Sequence, residues 1–185
     1  MIKVNDLKNG VVILYEGKLV QIVEFLHVLQ NKVAFVRVKM RDLRTGAIID
    51  TALKGSDSAF KRCYVDRRPM QYIYQLNDAY VFMDVENYEQ VEVPANRLKW
   101  ESHFLQEGMM VQVMFYEGEI LNINLPDKVV VKVAKAEPAV KGDTKTNALK
   151  DCFLASGLLV KVPMFIEQDE DIVVSTINGE YVSRA

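Results

Sequence analysis

Ala34-Phe35-Val36-Arg37-Val38-Lys39-Met40-Arg41 puts Ala34, Val36, Val38 and Met40 on one face of an extended chain and Phe35, Arg37, Lys39 and Arg41 on the other. Such a period of two belongs to a half-buried β-strand. The apolar set predicts the inner wall of a small β-domain. The opposite set predicts a solvent face with three cations beside one aromatic ring, and Lys32 lies just ahead of the stretch.

The neighbouring sequence reads the same way. Val11 to Tyr15, Leu19 to Phe25, Tyr72 to Tyr74, Tyr80 to Met83, Val111 to Tyr116 and Val129 to Val133 are short and rich in β-branched and aromatic residues, which is how strands read. Glu16-Gly17, Glu117-Gly118 and Asn178-Gly179 lie between such runs and supply the positive φ that two-residue hairpin turns need. Tyr15-Glu16-Gly17-Lys18-Leu19 and Tyr116-Glu117-Gly118-Glu119-Ile120 are near copies, which suggests one small β unit used more than once. No window keeps the apolar rhythm of a helix over three turns. The best helical candidates are single turns at Ala95 to Trp100 and Lys145 to Lys150.

Five prolines, at 69, 94, 126, 138 and 163, fall at plausible strand ends. Charge divides the chain into thirds. Residues 1–63 hold eleven Lys and Arg against six Asp and Glu, residues 64–127 four against eleven, and residues 128–185 eight against eight. These boundaries predict three units of about 60 residues, at 1–64, 65–127 and 128–185, each long enough for a five-stranded barrel of SH3-like or OB type. A chain basic at one end and acidic in the middle is a candidate for touching a polyanion with that end alone.

Several classes are excluded as expectations. Apolar runs stop at four to five residues, far from the ~20 of a membrane-spanning helix, and the first residues carry no apolar signal segment. Cys63 and Cys152 have neither zinc nor Cys-x-x-Cys spacing and read as reduced thiols of a cytoplasmic protein. His27 and His103 have no ligand spacing around them, and no nucleophile elbow, phosphate loop or dinucleotide fingerprint is present. The chain is therefore expected not to be an enzyme, with no catalytic residue, metal or cofactor. The cations of Arg37, Lys39 and Arg41 suit phosphate contact on a folded RNA. They equally suit an edge guarded against sheet-to-sheet pairing.

Longer ordered motifs narrow the choice. Val4-Asn5-Asp6-Leu7-Lys8-Asn9-Gly10, Val23-Glu24-Phe25-Leu26-His27-Val28 and Leu43-Arg44-Thr45-Gly46 occur in the first third. Gln71-Tyr72-Ile73-Tyr74, Tyr80-Val81-Phe82-Met83-Asp84 and Asn87-Tyr88-Glu89-Gln90 occur in the second. Lys141-Gly142-Asp143-Thr144, Ser156-Gly157-Leu158 and Gly179-Glu180-Tyr181 with Arg184 occur in the last. In these motifs the whole chain resembles the bacterial elongation factor P family.

That resemblance implies an all-β fold of three small β-barrels in tandem, a KOW/SH3-like barrel followed by two OB-type barrels, in an elongated tRNA-like shape. It implies a monomer that binds the ribosome beside peptidyl-tRNA, stimulates peptide-bond formation and relieves stalls at consecutive prolines, without chemistry of its own. Counting from His27 places Lys32 at the family's basic tip position, near the peptidyl-transferase centre and open to a Lys-modifying enzyme. RNA contacts are expected at Arg37, Lys39, Arg41, Arg44, Gly142, Asp143, Thr144, Tyr181 and Arg184. Gly142 to Thr144 also read as a turn, and Tyr181 also reads as a half-buried strand aromatic.

The tip departs from the family. Leu29-Gln30-Asn31-Lys32-Val33-Ala34 stands where the family has Pro-Gly-Lys-Gly or Pro-Gly-Arg-Gly, and Lys150-Asp151-Cys152 stands where it commonly has Lys-Pro-Ala. A specialised paralogue, or a non-ribosomal scaffold that kept the barrels and lost the active tip, is the alternative these departures motivate.

Overall fold

The computed structural model describes residues 1–30, 33–53, 59–138 and 148–185, with the backbone alone at 29, 30, 33 and 34. It is all-β, and the only helical pieces among these residues are three-residue 3-10 turns at Val4–Asp6, Ala95–Arg97 and Glu101–His103. The single turn expected at Ala95 to Trp100 is the second of these. The one expected at Lys145 to Lys150 is not helical where it is described, since Leu149 and Lys150 open a strand. Alternating buried Cys152 and Leu154 with more exposed neighbours decides that stretch for the sheet.

The first sheet joins β1 (Ile2–Lys3), β2 (Val12–Tyr15), β3 (Lys18–Gln30), β4 (Val33–Asp42), β5 (Ile48–Leu53) and β6 (Ala59–Cys63). Its order is β1-β6-β2-β3-β4-β5. Val36, Val38 and Met40 face its core, at 5%, 0% and 0% exposure, beside Val4, Leu7, Ile13, Val20 and Ile22. The expected register of β4 is thus the observed one. Glu16 and Gly17 take φ of 48° and 77° between β2 and β3, a turn whose double positive φ matches strand twist.

β7 (Asp66–Leu76), β8 (Ala79–Asp84), β9 (Gln90–Pro94), β10 (Met110–Tyr116) and β11 (Glu119–Asn124) form the second sheet, in the order β11-β10-β7-β8-β9. Glu117 and Gly118 repeat the first hairpin turn almost to the degree, with φ of 49° and 82°. The third sheet holds β12 (Lys128–Ala136), β13 (Leu149–Leu154), β14 (Leu159–Pro163), β15 (Asp171–Ser175) and β16 (Tyr181–Arg184). β12 serves two half-sheets: Lys128 to Lys132 pair with β15, and Val133 to Ala136 pair with β13 across a register shift at Val133/Lys135. A strand that changes partners at a bulge turns the corner of a small barrel. Asn178-Gly179, expected as a two-residue turn, instead closes a four-residue loop, because Ser175 N–H donates to the Glu180 carbonyl and Gly179 N–H to the Ser175 carbonyl.

Two compact units divide these sheets: residues 1–68 with 113–122, and residues 69–112 with 123–185. Within the first unit the β10–β11 hairpin packs Met114 and Leu121 against Val12, Leu19, Leu43 and Cys63. Within the second, Trp100 donates its indole N–H to the Thr176 carbonyl at 2.7 Å, and the Thr176 hydroxyl donates to the Pro126 carbonyl at 2.6 Å.

Candidate nucleic-acid interface

β3 runs for thirteen residues, but only its first half is buried. Leu19, Val20 and Ile22 enter the core, whereas Val23, Leu26 and His27 are exposed. A bulge between Ile22 and Glu24 shifts the pairing with β4 at this changeover and bends the strand there. Among the described residues β5 pairs with β4 as far as Val36↔Leu53, while β3 and β4 stay paired out to Gln30↔Val33. Among those residues the distal hairpin is a two-stranded arm. From Leu26 to Gln30 it gains about 13 Å at roughly 3.3 Å per residue. Lys32, one position before β4, lies outside the described residues.

On the arm's base the cations of β4 are arranged against carboxylates. Arg37 donates from Nε and Nη2 to the two oxygens of Asp50, each at 2.9 Å. Lys39 Nζ stands 2.6 Å from Glu24 Oε2. The register explains it: Lys39 is opposite Glu24 on one side and Asp50 on the other, with Arg37 one step further along the same face. The guanidinium of Arg37 holds the Asp50 carboxyl below its ordinary value, and each cation is held above its own by its partner. All four groups are exposed, so screening keeps the pairs weak. Their consequence is for charge: four of the five ionisable groups here cancel, and Arg41 is the exposed cation on this face without an ion partner among the described residues.

Arg44 is set by a turn. The Asp42 carboxylate accepts the N–H groups of Arg44 and Thr45 at 2.8 and 3.2 Å, and Gly46 closes the turn at φ +75°. The side chain then pairs with Glu119 of the β10–β11 hairpin at 2.9 Å. Arg184 pairs with Glu170 at 2.7 Å and lies over the Phe165 ring at 5.7 Å. Tyr181 is half-buried and packs on the third core. Gly142, Asp143 and Thr144 lie outside the described residues. Sequence reasoning passed over the exposed bases of Lys61-Arg62-Cys63-Tyr64-Val65-Asp66-Arg67-Arg68, although their density is visible in the sequence.

Three family models tile the chain in the order of its sheets: the elongation factor P KOW-like domain over residues 3–59, the elongation factor P OB domain over 65–123, and the elongation factor P C-terminal domain over 129–184. The chain belongs to the elongation factor P family. Proteins named elongation factor P from Phytoplasma australiense and from onion yellows phytoplasma are each 46% identical to it over 100% of this chain and 98% of their own. One from an Exiguobacterium species is 44% identical over the same shares. As an elongation factor P relative, the chain is a translation factor. The family's KOW-like domain coincides with the sheet that carries the arm and Arg37, Lys39, Arg41 and Arg44.

Proposed function

We propose that this protein binds the ribosome beside peptidyl-tRNA and stimulates peptide-bond formation, relieving stalls at consecutive prolines. The observation that carries this reading is the two-stranded arm of β3 and β4, which leaves the first core and leads to Lys32, in a chain of elongation factor P kinship. Barrels at 1–64, 65–127 and 128–185 divide the work. The basic first barrel meets RNA through Arg37, Lys39, Arg41 and Arg44. The last barrel adds Arg184, Tyr181 and the Gly142-Asp143-Thr144 loop.

The mechanism needs no bond to the protein. A tip lysine held against the end of the peptidyl-tRNA restricts it to reactive geometries, converting binding into lost substrate freedom before the transition state is reached. Affinity then comes from many phosphate contacts and rate from one cation, so the two are separable by mutation. A Lys-modifying enzyme acting on Lys32 lengthens that reach. The factor works as a monomer in the cytoplasm.

Ribosome binding is checked by co-sedimentation of the full chain with bacterial 70S ribosomes from low to high potassium chloride. Each phosphate contact releases condensed counterions, so binding falls steeply with salt. Joint replacement of Arg37, Lys39 and Arg41 by Ala lowers affinity while circular dichroism stays native. Salt-insensitive binding, or full affinity in that triple variant, contradicts the assignment of the first barrel.

A further inference from the structure

From the end of β6 into the start of β7 the chain reads Lys61-Arg62-Cys63-Tyr64-Val65-Asp66-Arg67-Arg68, and Cys63 alone among these is buried. Tyr64 is 76% exposed, and the Arg62 guanidinium lies over its ring at 5.0 Å. Asp66, the one acid of the run, is taken by Arg68 at 2.8 Å, and Arg68 also covers the Phe115 ring at 4.8 Å. Lys61, Arg62 and Arg67 are exposed, and no carboxylate pairs with them among the described residues. The contrast with β4 is direct. There Arg37 and Lys39 are already answered by Asp50 and Glu24, so a phosphate must compete with two carboxylates. On the β6–β7 segment a phosphate meets cations that no carboxylate among the described residues answers.

We infer that Arg62, Tyr64 and Arg67 form a second RNA-contact surface, binding phosphates through the two cations and stacking one exposed base or ribose on Tyr64. The inference rests on the proposed role at the ribosome and assigns part of that interface to residues outside β4. Planar guanidinium forks match phosphate oxygens in pairs. An exposed tyrosine already topped by a guanidinium offers a stacking face to an unpaired base, a contact worth roughly 1–3 kcal/mol per base. From Arg62 to Arg67 the chain reaches at most about 17 Å, enough to follow several phosphates of one strand. Val65 is part-buried beside Cys63, and this anchors the segment, so little order must be gained on docking.

The test uses the full chain, with unfractionated bacterial tRNA, protein-free ribosomal RNA and 70S ribosomes as probes, titrated across salt. R62Q/R67Q is compared with K132Q/K161Q, which removes the same charge from two exposed, ion-paired lysines of the third sheet. R62Q/R67Q is expected to weaken binding to the RNA probes about tenfold and to make the logarithmic salt slope shallower by roughly 1.5, as for two lost phosphate contacts. K132Q/K161Q is expected to stay within about twofold of the parent. Tyr64→Ala weakens binding at least fivefold and Tyr64→Phe retains it, since the ring and not the hydroxyl is used. All these side chains are exposed, and circular dichroism is expected to stay native.

Parent binding with R62Q/R67Q indistinguishable from K132Q/K161Q overturns this surface and leaves the proposed function standing. Loss of ribosome binding in R62Q/R67Q, with both protein-free RNAs bound as well as by the parent, overturns the RNA assignment in favour of an acidic protein partner. Failure of the parent itself to bind any of the three probes at low salt defeats the proposed function and this inference together.

Discussion

Asp50 is the residue on which the charge of the first sheet's outer face turns. It accepts both hydrogen bonds of Arg37, which depresses its carboxyl value, and its side chain is 35% exposed, so solvent screens the pair. The direction fixes a pH window. A carboxylate with a lowered folded value adds whatever it adds above its unfolded value, near ~3.9, and loses it as pH falls through the folded one. Carbon-detected NMR titration is expected to find Asp50 below the ordinary aspartate value in the parent and restored to it in Arg37→Gln. An ordinary Asp50 in the parent means the pair is not held in solution. On the inner face Val38 is 0% exposed, one position from exposed Lys39. Val38→Asp buries a lone charge at a cost of about 3–5 kcal/mol, enough to unfold a small barrel. Lys39→Asp on the outer face leaves thermal unfolding within a few degrees of the parent. The reverse order of melting points contradicts the register of β4.

One device recurs among the elements. After β4, β8 and β15 the chain turns on Asp42, Asp84 and Ser175, whose side-chain oxygens accept the N–H two residues on, at 2.8, 2.8 and 3.3 Å. Four residues on, Gly46, Tyr88 and Gly179 take φ of +75°, +61° and +75° and donate to the carbonyl of that first residue. The duplicated β unit suspected from Tyr15-Glu16-Gly17 and Tyr116-Glu117-Gly118 was thus legible in the hairpins. Its deeper copy was not, since Asp-Leu-Arg-Thr-Gly, Asp-Val-Glu-Asn-Tyr and Ser-Thr-Ile-Asn-Gly share hydrogen-bond geometry more than letters. The alternation of β4 was legible because burial imposes its period on one strand. The carboxylates answering Arg37 and Lys39 were not, because Glu24 and Asp50 come from other strands and only register brings them together. For the same reason the β10–β11 hairpin's packing with Leu19 and Cys63 left no local mark. Gly179 supplies a test at this scale. A Cβ there meets the Trp100 ring at 2.9 Å, whereas one at Gly17, with similar φ of +77°, meets nothing within 4 Å. Chemical denaturation is expected to show Gly179→Ala costing about 1–3 kcal/mol more than Gly17→Ala, the excess being the clash. Equal costs contradict the Trp100 packing.

At the scale of the whole molecule, charge and reach are separated along the chain. The first third carries the cationic excess and the arm, and the middle third carries eleven acids against four bases. Such a distribution steers one end toward RNA and discourages the middle from settling on it. In the proposed function Lys32 acts at the reaction centre while the phosphate contacts supply affinity. Lys32→Ala is accordingly expected to bind 70S ribosomes within about twofold of the parent. The decisive measurement is the rate of full-length synthesis in a purified translation system, on a reporter with three consecutive prolines and on a matched one without them. The parent is expected to speed only the proline reporter, and Lys32→Ala to lose most of that gain. Equal rescue by the parent and Lys32→Ala, or no rescue by a parent that binds ribosomes, contradicts the proposed function.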